Sequence, residues 1–210
     1  MEKILIATKN KDKFEIVKKI LNKINNVSYE YYSLYDIKNL EKSDKEEGNI
    51  EKRAYNKANQ IYSRIKENDF KYIIGIDDGI KIRGIIRENV KDYIKDIIND
   101  KYLSEGEQIE IVRAYCFMNA KGEYNTVTTE IPFKYKKYNG NFIIEENSYP
   151  LSNVLSPIDS DKTVAQMDKN ENNQYYLKYS RSSHPLEERR IIKYAWCRRE
   201  KCRLHVRIRI

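Results

Sequence analysis

The sequence predicts an α/β fold, and three observations carry that prediction. An apolar run rich in β-branched residues, 3–7, is followed by a polar loop and then by apolar residues at helical spacing. A second apolar run, 71–76, follows a second helical stripe. Two further segments, 110–118 and 126–133, flank a Lys121–Gly122 turn and are typical of a hairpin. Strands that alternate with helices, followed by a hairpin, are typical of an α/β protein.

The first helix follows the opening strand across a polar loop, residues 8–13. Apolar residues recur every three or four positions from Phe14 to Leu21, as on the buried face of an amphipathic helix. The free N–H groups at the start of a helix and the helix dipole favour an anion, and three lysines in the loop add positive charge. The sequence therefore predicts a phosphate site here, although many α/β domains begin in the same way and bind nothing at this point.

The remaining elements follow from the same two periodicities, with a charged loop at 36–48. They are a strand at 27–34, a helix from 50 to about 68, a helix within 79–104, a third strand after the hairpin at 141–144, a basic helix at 186–198 and an alternating strand at 202–210. Basic residues on one side of the last strand favour an edge protected by charge over a nucleic-acid contact.

Two adjacent acids, Asp77 and Asp78, follow the apolar run 71–76 and precede a glycine. Open α/β sheets bind their ligands at the carboxyl ends of strands. Neighbouring strand residues point to opposite faces, so we expect one acid to face the cleft and the other to be held by its surroundings. A carboxylate beside phosphates could hold Mg²⁺ or deprotonate an attacking water. A simple Asp–Asp–Gly turn explains the same residues without any function.

Composition limits the class of protein. With 40% hydrophobic and 34% charged residues, the 210-residue chain can bury one domain and is not disordered. The sequence shows no apolar run of membrane-spanning length, no secretory leader and no zinc-like cysteine spacing, which predicts a cytoplasmic protein without a membrane partner. The net charge of +8 gathers largely after Arg181, so a basic nucleic-acid-binding protein is a hypothesis that rests on the tail, and nucleic acid is not the expected partner.

Four motifs resemble those of the inosine triphosphate pyrophosphatase family, in the family's order. They are Thr8-x-Asn10-x-x-Lys13 and the segments 53–58, 77–79 and 162–167. These are similar to the family's T-x-N-x-x-K, N-A-x-x-K-A, D-D-S-G-L and K-T-x-A-E-M. Arg53 stands in place of the asparagine of the second motif, and Gln166 in place of the glutamate of the fourth. The likeness covers residues 3 to about 183.

The resemblance implies one domain, 1–210, with an elongated mixed β-sheet, flanking helices and a central cleft between two lobes. The phosphate and metal lobe would comprise about 1–105 with the C-terminal helix, and the second lobe about 106–170. The resemblance also implies Mg²⁺ held by Glu41 and Asp78, with Asp78 as the catalytic acid. The substrate-binding residues carried over from the motifs are Thr8, Asn10, Lys13, Lys57, Tyr149, Ser152 and Arg181.

The activity implied by the resemblance is hydrolysis of non-canonical purine triphosphates such as ITP, dITP and XTP. The products would be the monophosphate and pyrophosphate, and the enzyme a homodimer. The phosphate-binding motifs match better than the base-reading ones, since Ser152 and Asn153 stand where the family has aspartate and proline. This asymmetry leaves a second hypothesis open, a degraded relative that binds nucleotide or a protein partner without hydrolysis.

Overall fold

The computed structural model describes residues 1–24, 28–37, 47–65, 69–98, 103–137 and 151–179. The strand predicted at 141–144, the helix at 186–198 and the strand at 202–210 lie outside the described residues, as does most of the charged loop. None of the helices within the described ranges is long and apolar enough to cross a membrane.

Seven strands and four helices make up this part of the chain. The strands are β1 (Glu2–Ala7), β2 (Tyr29–Ser33), β3 (Tyr72–Ile82), β4 (Ile85–Arg87), β5 (Gln108–Asn119), β6 (Tyr124–Tyr135) and β7 (Leu155–Pro157). The helices are α1 (Lys11–Ile24), α2 (Ile50–Tyr62), α3 (Val90–Ile98) and α4 (Lys169–Tyr179), and a 3-10 turn, Val164–Gln166, precedes α4.

All seven strands belong to one mixed sheet with the order β2-β1-β3-β5-β6-β7, and β4 pairs with β3. Strand β1 lies parallel to both β2 and β3, and the other pairs are antiparallel. The α/β prediction is therefore confirmed, as is the hairpin of β5 and β6. The proposed division into two lobes stays a prediction.

Strand β3 is longer than the sequence pattern indicates. It continues through Asp77, Asp78 and Gly79 to Ile82, so the interpretation of these residues as a turn is wrong. The acids can remain inside the strand because β5 pairs with it throughout and places Arg113 opposite Asp78. Strand β4 was not predicted, and the chain turns into it through Arg83 and Gly84, both of which have positive φ.

A gap beside β3 opens where β1 ends. The last residue of β1, Ala7, lies opposite Gly75, whereas β4 joins β3 only from Ile80 onward. In the described part of the chain, no strand pairs with Ile76–Gly79 on this side. The loop after β1 and the start of α1 lie at this gap, because α1 begins at Lys11.

Helix α2 packs unusually close to β3. A Cβ atom added at Gly75 would lie 1.9 Å from the carbonyl oxygen of Ala54, and Ala54 and Ala58 are fully buried. Small residues on both elements therefore let the helix lie directly on the strand. Asn49 caps the helix by accepting a hydrogen bond from the Lys52 N–H, and the helix ends at Tyr62, earlier than predicted.

Candidate functional site

Polar side chains of the loop after β1 hold that loop in place. The Asn10 N–H donates to Thr8 Oγ1 at 3.1 Å, and the Lys13 N–H donates to Asn10 Oδ1 at 2.9 Å. Asn10 therefore caps the first turn of α1, and the cap brings Lys13 to the gap beside β3. These contacts give Thr8 and Asn10 a role in shaping the loop, and their contact with substrate stays a prediction.

On the α1 side of the sheet, Asp78 contacts two cations. Arg113 donates from Nε to Oδ1 at 2.7 Å and from Nη2 to Oδ2 at 3.0 Å. The ammonium of Lys13 lies 3.0 Å from Oδ2. The side chains of Arg113 and Asp78 are 2% and 5% exposed, whereas that of Lys13 is 18% exposed. Only the lysine of this group is therefore open to a ligand.

Charge on these residues is set by their neighbours. Burial alone would raise the pKa of the Asp78 carboxyl, but Arg113 and Lys13 outweigh burial and hold that pKa well below its usual range. Burial lowers the pKa of the Lys13 ammonium, and the positive charges of Arg113 and Lys57 lower it further. Asp78 raises this pKa but does not outweigh them. Asp78 is thus an anion at neutral pH that fixes Lys13, and its role as the catalytic acid stays a prediction.

Asp77 lies on the opposite face of β3 and contacts α2. Its Oδ2 lies 2.6 Å from Arg53 Nε, and its Oδ1 accepts a hydrogen bond of 2.6 Å from Lys57 Nζ. Lys57 also donates to the Ile76 carbonyl oxygen at 3.3 Å. The side chains of Arg53 and Asp77 are 4% and 7% exposed and that of Lys57 is 21% exposed. The prediction that the adjacent acids point to opposite faces is confirmed.

The two faces of β3 share one arrangement, which we call the Arg–Asp–Lys groups. The first is Arg113–Asp78–Lys13, and the second is Arg53–Asp77–Lys57. In each, a buried arginine and a buried aspartate hold a partly exposed lysine. Four cations less two carboxylates leave two net positive charges, and Lys57 is close enough to Lys13 to lower its pKa. The arrangement attracts an anion.

No family model matches the chain, and no curated protein sequence matches it significantly. Solved structures do match. A HAM1 protein from Coxiella burnetii gives a TM-score of 0.63 at 11% identity, over 92% of this chain and 100% of that one. The Staphylococcus aureus Ham1 protein gives a TM-score of 0.59 at 15% identity, over 92% of this chain and 100% of that one. This chain has the Ham1 fold. A Mycobacterium abscessus protein is described as a nucleoside-triphosphatase and dITP/XTP pyrophosphatase. It gives a TM-score of 0.54 at 15% identity, over 85% of this chain and 95% of that one.

Within this Ham1 fold, the described residues do not fit a divalent cation. They contain no group of three His, Cys, Asp or Glu side chains that could hold a metal ion. Magnesium needs oxygen ligands in near-octahedral geometry, and an ion at Asp78 would have to displace Arg113 or Lys13. Glu41, the other ligand implied by the resemblance, lies outside the described residues. The expectation of Mg²⁺ therefore depends on the resemblance alone.

Of the other residues predicted to bind substrate, the structure describes only some. Tyr149 and Arg181 lie outside the described residues. Ser152 lies in the turn before β7, where its carbonyl oxygen accepts a hydrogen bond from the Ala165 N–H at 2.9 Å. This bond ties the turn to the 3-10 segment, before which the Thr163 N–H donates to Gln166 Oε1 at 2.9 Å. The role of Ser152 toward substrate stays a prediction.

The sequence reasoning missed Arg113 and treated Arg53 only as a replaced asparagine. A signal for Arg113 was present, because it is the one charged residue in the apolar run 111–118. A charged side chain in a strand buried on both faces requires a partner of opposite charge. The hairpin that contains it was predicted, so the acids of the neighbouring strand were the natural partners.

Proposed function

We propose that this protein is a nucleoside triphosphate pyrophosphatase that hydrolyses ITP, dITP or XTP to the monophosphate and pyrophosphate. One observation carries the proposal: in a Ham1 fold, Lys13 and Lys57 come from two helices and contact adjacent aspartates of β3, Asp78 and Asp77, close enough for their charges to interact. Two positioned ammonium groups suit a chain of phosphates. One of the similar structures is described as a dITP/XTP pyrophosphatase, which supports the choice of substrate.

In the proposed reaction, water attacks the α-phosphorus and the bond between the α-phosphorus and the bridging oxygen breaks. A new P–O bond forms on the monophosphate, and pyrophosphate leaves with the bridging oxygen. Lys13 and Lys57 would neutralise the charge that builds up on the phosphates. The proton of the attacking water would pass to Asp78, whose Oδ2 becomes available once Lys13 turns from it to the phosphates.

Magnesium enters this proposal as the counter-ion that a triphosphate carries, and no step is assigned to it. Glu41 stays a candidate ligand on the strength of the resemblance. We also propose, on the same basis, that the protein is a homodimer in the cytoplasm. Sedimentation of the purified chain would test the dimer directly.

The test is pyrophosphate release from a panel of ATP, GTP, ITP, dITP and XTP in the presence of Mg²⁺. We expect release from the deaminated purine nucleotides in preference to ATP and GTP. Lys57→Met should lower the rate, and Lys71→Met is the matched control because Lys71 pairs with Glu2 at the amino end of β1. No release from any nucleotide would refute the proposal and favour the relative that binds without hydrolysis.

A further inference from the structure

Each of the two aspartates on β3, Asp77 and Asp78, forms an ion pair with a buried arginine. Arg113 lies opposite Asp78 in the β3–β5 ladder and contacts both carboxylate oxygens. Arg53 reaches Asp77 from α2, and its other nitrogens donate to the Asn89 side chain, at 2.6 Å, and to the Glu88 carbonyl oxygen. Both guanidinium groups are therefore built into the fold and are not surface side chains that happen to lie near an acid.

A divalent cation cannot easily replace either arginine. Arginine keeps its charge at every physiological pH, and a buried guanidinium that loses its carboxylate is left as an uncompensated charge. Arg113 is 2% exposed, so it cannot swing into water when Asp78 turns to a metal ion. In the structure, Lys13 contacts Asp78 Oδ2, which also accepts from Arg113, and Lys57 contacts Asp77 Oδ1. If Lys13 turns to the phosphates, both oxygens of Asp78 still accept from Arg113.

We propose that the two arginines take the place of resident divalent cations, so that the site binds a polyphosphate through Lys13 and Lys57 without a metal ion. The choice of polyphosphate as ligand rests on the proposed function, whereas independence from metal rests on the Arg–Asp–Lys groups. The two net positive charges remain after both carboxylates are neutralised, and they lie on the two side chains of the groups that solvent reaches. A ligand with several adjacent negative oxygens matches them.

The first experiment measures binding of inorganic tripolyphosphate to the full chain by calorimetry, in excess EDTA and in excess Mg²⁺. We expect the Kd in EDTA to be equal to or lower than the Kd in Mg²⁺, because Mg²⁺ screens the ligand and supplies nothing to the protein. Binding that weakens by about 100-fold or more in EDTA, or that is absent under both conditions, would overturn the inference.

Variants then assign the effect to the two groups. Lys13→Gln and Lys57→Gln should each weaken tripolyphosphate binding in EDTA by about tenfold, and Lys71→Gln should leave it unchanged. Arg113→Gln should convert the site to one that needs Mg²⁺, because Asp78 then lacks its buried cation. If Arg113→Gln does not fold, titration of the unaltered protein with Mn²⁺ alone provides the second measurement. Stoichiometric Mn²⁺ binding that Asp78→Asn abolishes would contradict the inference.

The outcomes separate this inference from the proposed function. A protein that releases no pyrophosphate yet binds tripolyphosphate in EDTA refutes the enzyme and supports the metal-independent site. A protein that hydrolyses ITP but binds tripolyphosphate only with Mg²⁺ supports the enzyme and refutes the metal-independent site.

Discussion

Asp78 joins the sheet to the loop that precedes α1. One of its carboxylate oxygens accepts from Arg113 Nε, and the other contacts both Arg113 Nη2 and Lys13. The negative charge of this residue therefore serves two purposes, since it compensates a buried guanidinium and fixes the lysine that is open to a ligand. Substitutions that keep its shape and remove its charge should reveal both.

Asp78→Asn should destabilise the protein as well as stop hydrolysis. The variant leaves Arg113 buried without a counter-charge, and losing one partner of a buried ion pair lowers the free energy of unfolding by about 3–5 kcal/mol. Urea denaturation measures this difference. Asp159→Asn is the control, because the pair of Asp159 with Lys178 is exposed and is worth less than about 1 kcal/mol. Equal stability of the two variants would show that the Arg113 contact contributes nothing.

The same contact predicts how stability depends on acid. The pKa of Asp78 is depressed in the folded protein, so its stabilising effect is present above the unfolded value, about 4, and is lost as the pH falls below it. We expect the free energy of unfolding to fall on acidification below about pH 4, and to fall less steeply in Asp78→Asn. Parallel profiles for the two proteins would contradict the assignment.

At the scale of elements, the contact between α2 and β3 decides where Arg53 and Lys57 lie. Gly75→Ala should disrupt this contact, because the added methyl group would lie 1.9 Å from the Ala54 carbonyl oxygen and the helix must move away. We expect a loss of about 1–3 kcal/mol in the free energy of unfolding and a higher KM for ITP. Gly79→Ala in the same strand is the matched control, since its nearest contacts are 3.2 Å. A smaller effect at Gly75 than at Gly79 would contradict the packing argument.

Local patterns predict some of these elements and not others. Strand β1 and helix α1 follow from periodicity within a few residues, and the structure confirms both. The predicted end of β3 was wrong, because two adjacent acids rarely continue a buried strand. Here the strand continues through them because Asp78 lies opposite Arg113 of β5. That pairing depends on the register between distant segments, which no local pattern contains.

At the scale of the whole molecule, the sheet order brings together the parts of the site. Strand β1 lies between β2 and β3, which places the loop before α1 next to β3, and β5 lies on the other side of β3. The sequence motifs were sufficient to predict that Lys13 and Asp78 meet, and they do, at 3.0 Å. They could not supply Arg113, which belongs to none of the motifs and reaches the site only through the sheet.

Excess positive charge should speed the arrival of nucleotide. The chain carries a net charge of +8, and two net positive charges remain at the Arg–Asp–Lys groups. We expect kcat/KM for ITP to fall as the ionic strength rises, and to fall less steeply for Lys57→Met than for Lys71→Met. Steady-state kinetics over a series of KCl concentrations measures both slopes. If the salt dependence of kcat/KM were the same for Lys57→Met and Lys71→Met, the charge that attracts the nucleotide would lie elsewhere on the chain.

The two aspartates that hold Lys13 and Lys57, Asp78 and Asp77, are neighbours in the chain and share one peptide bond. An insertion or deletion of one residue upstream in β3 would exchange the directions of both acids, sending each toward the wrong helix. A one-residue insertion or deletion in this strand therefore costs the protein both anchors at once, whereas a substitution can remove either aspartate alone.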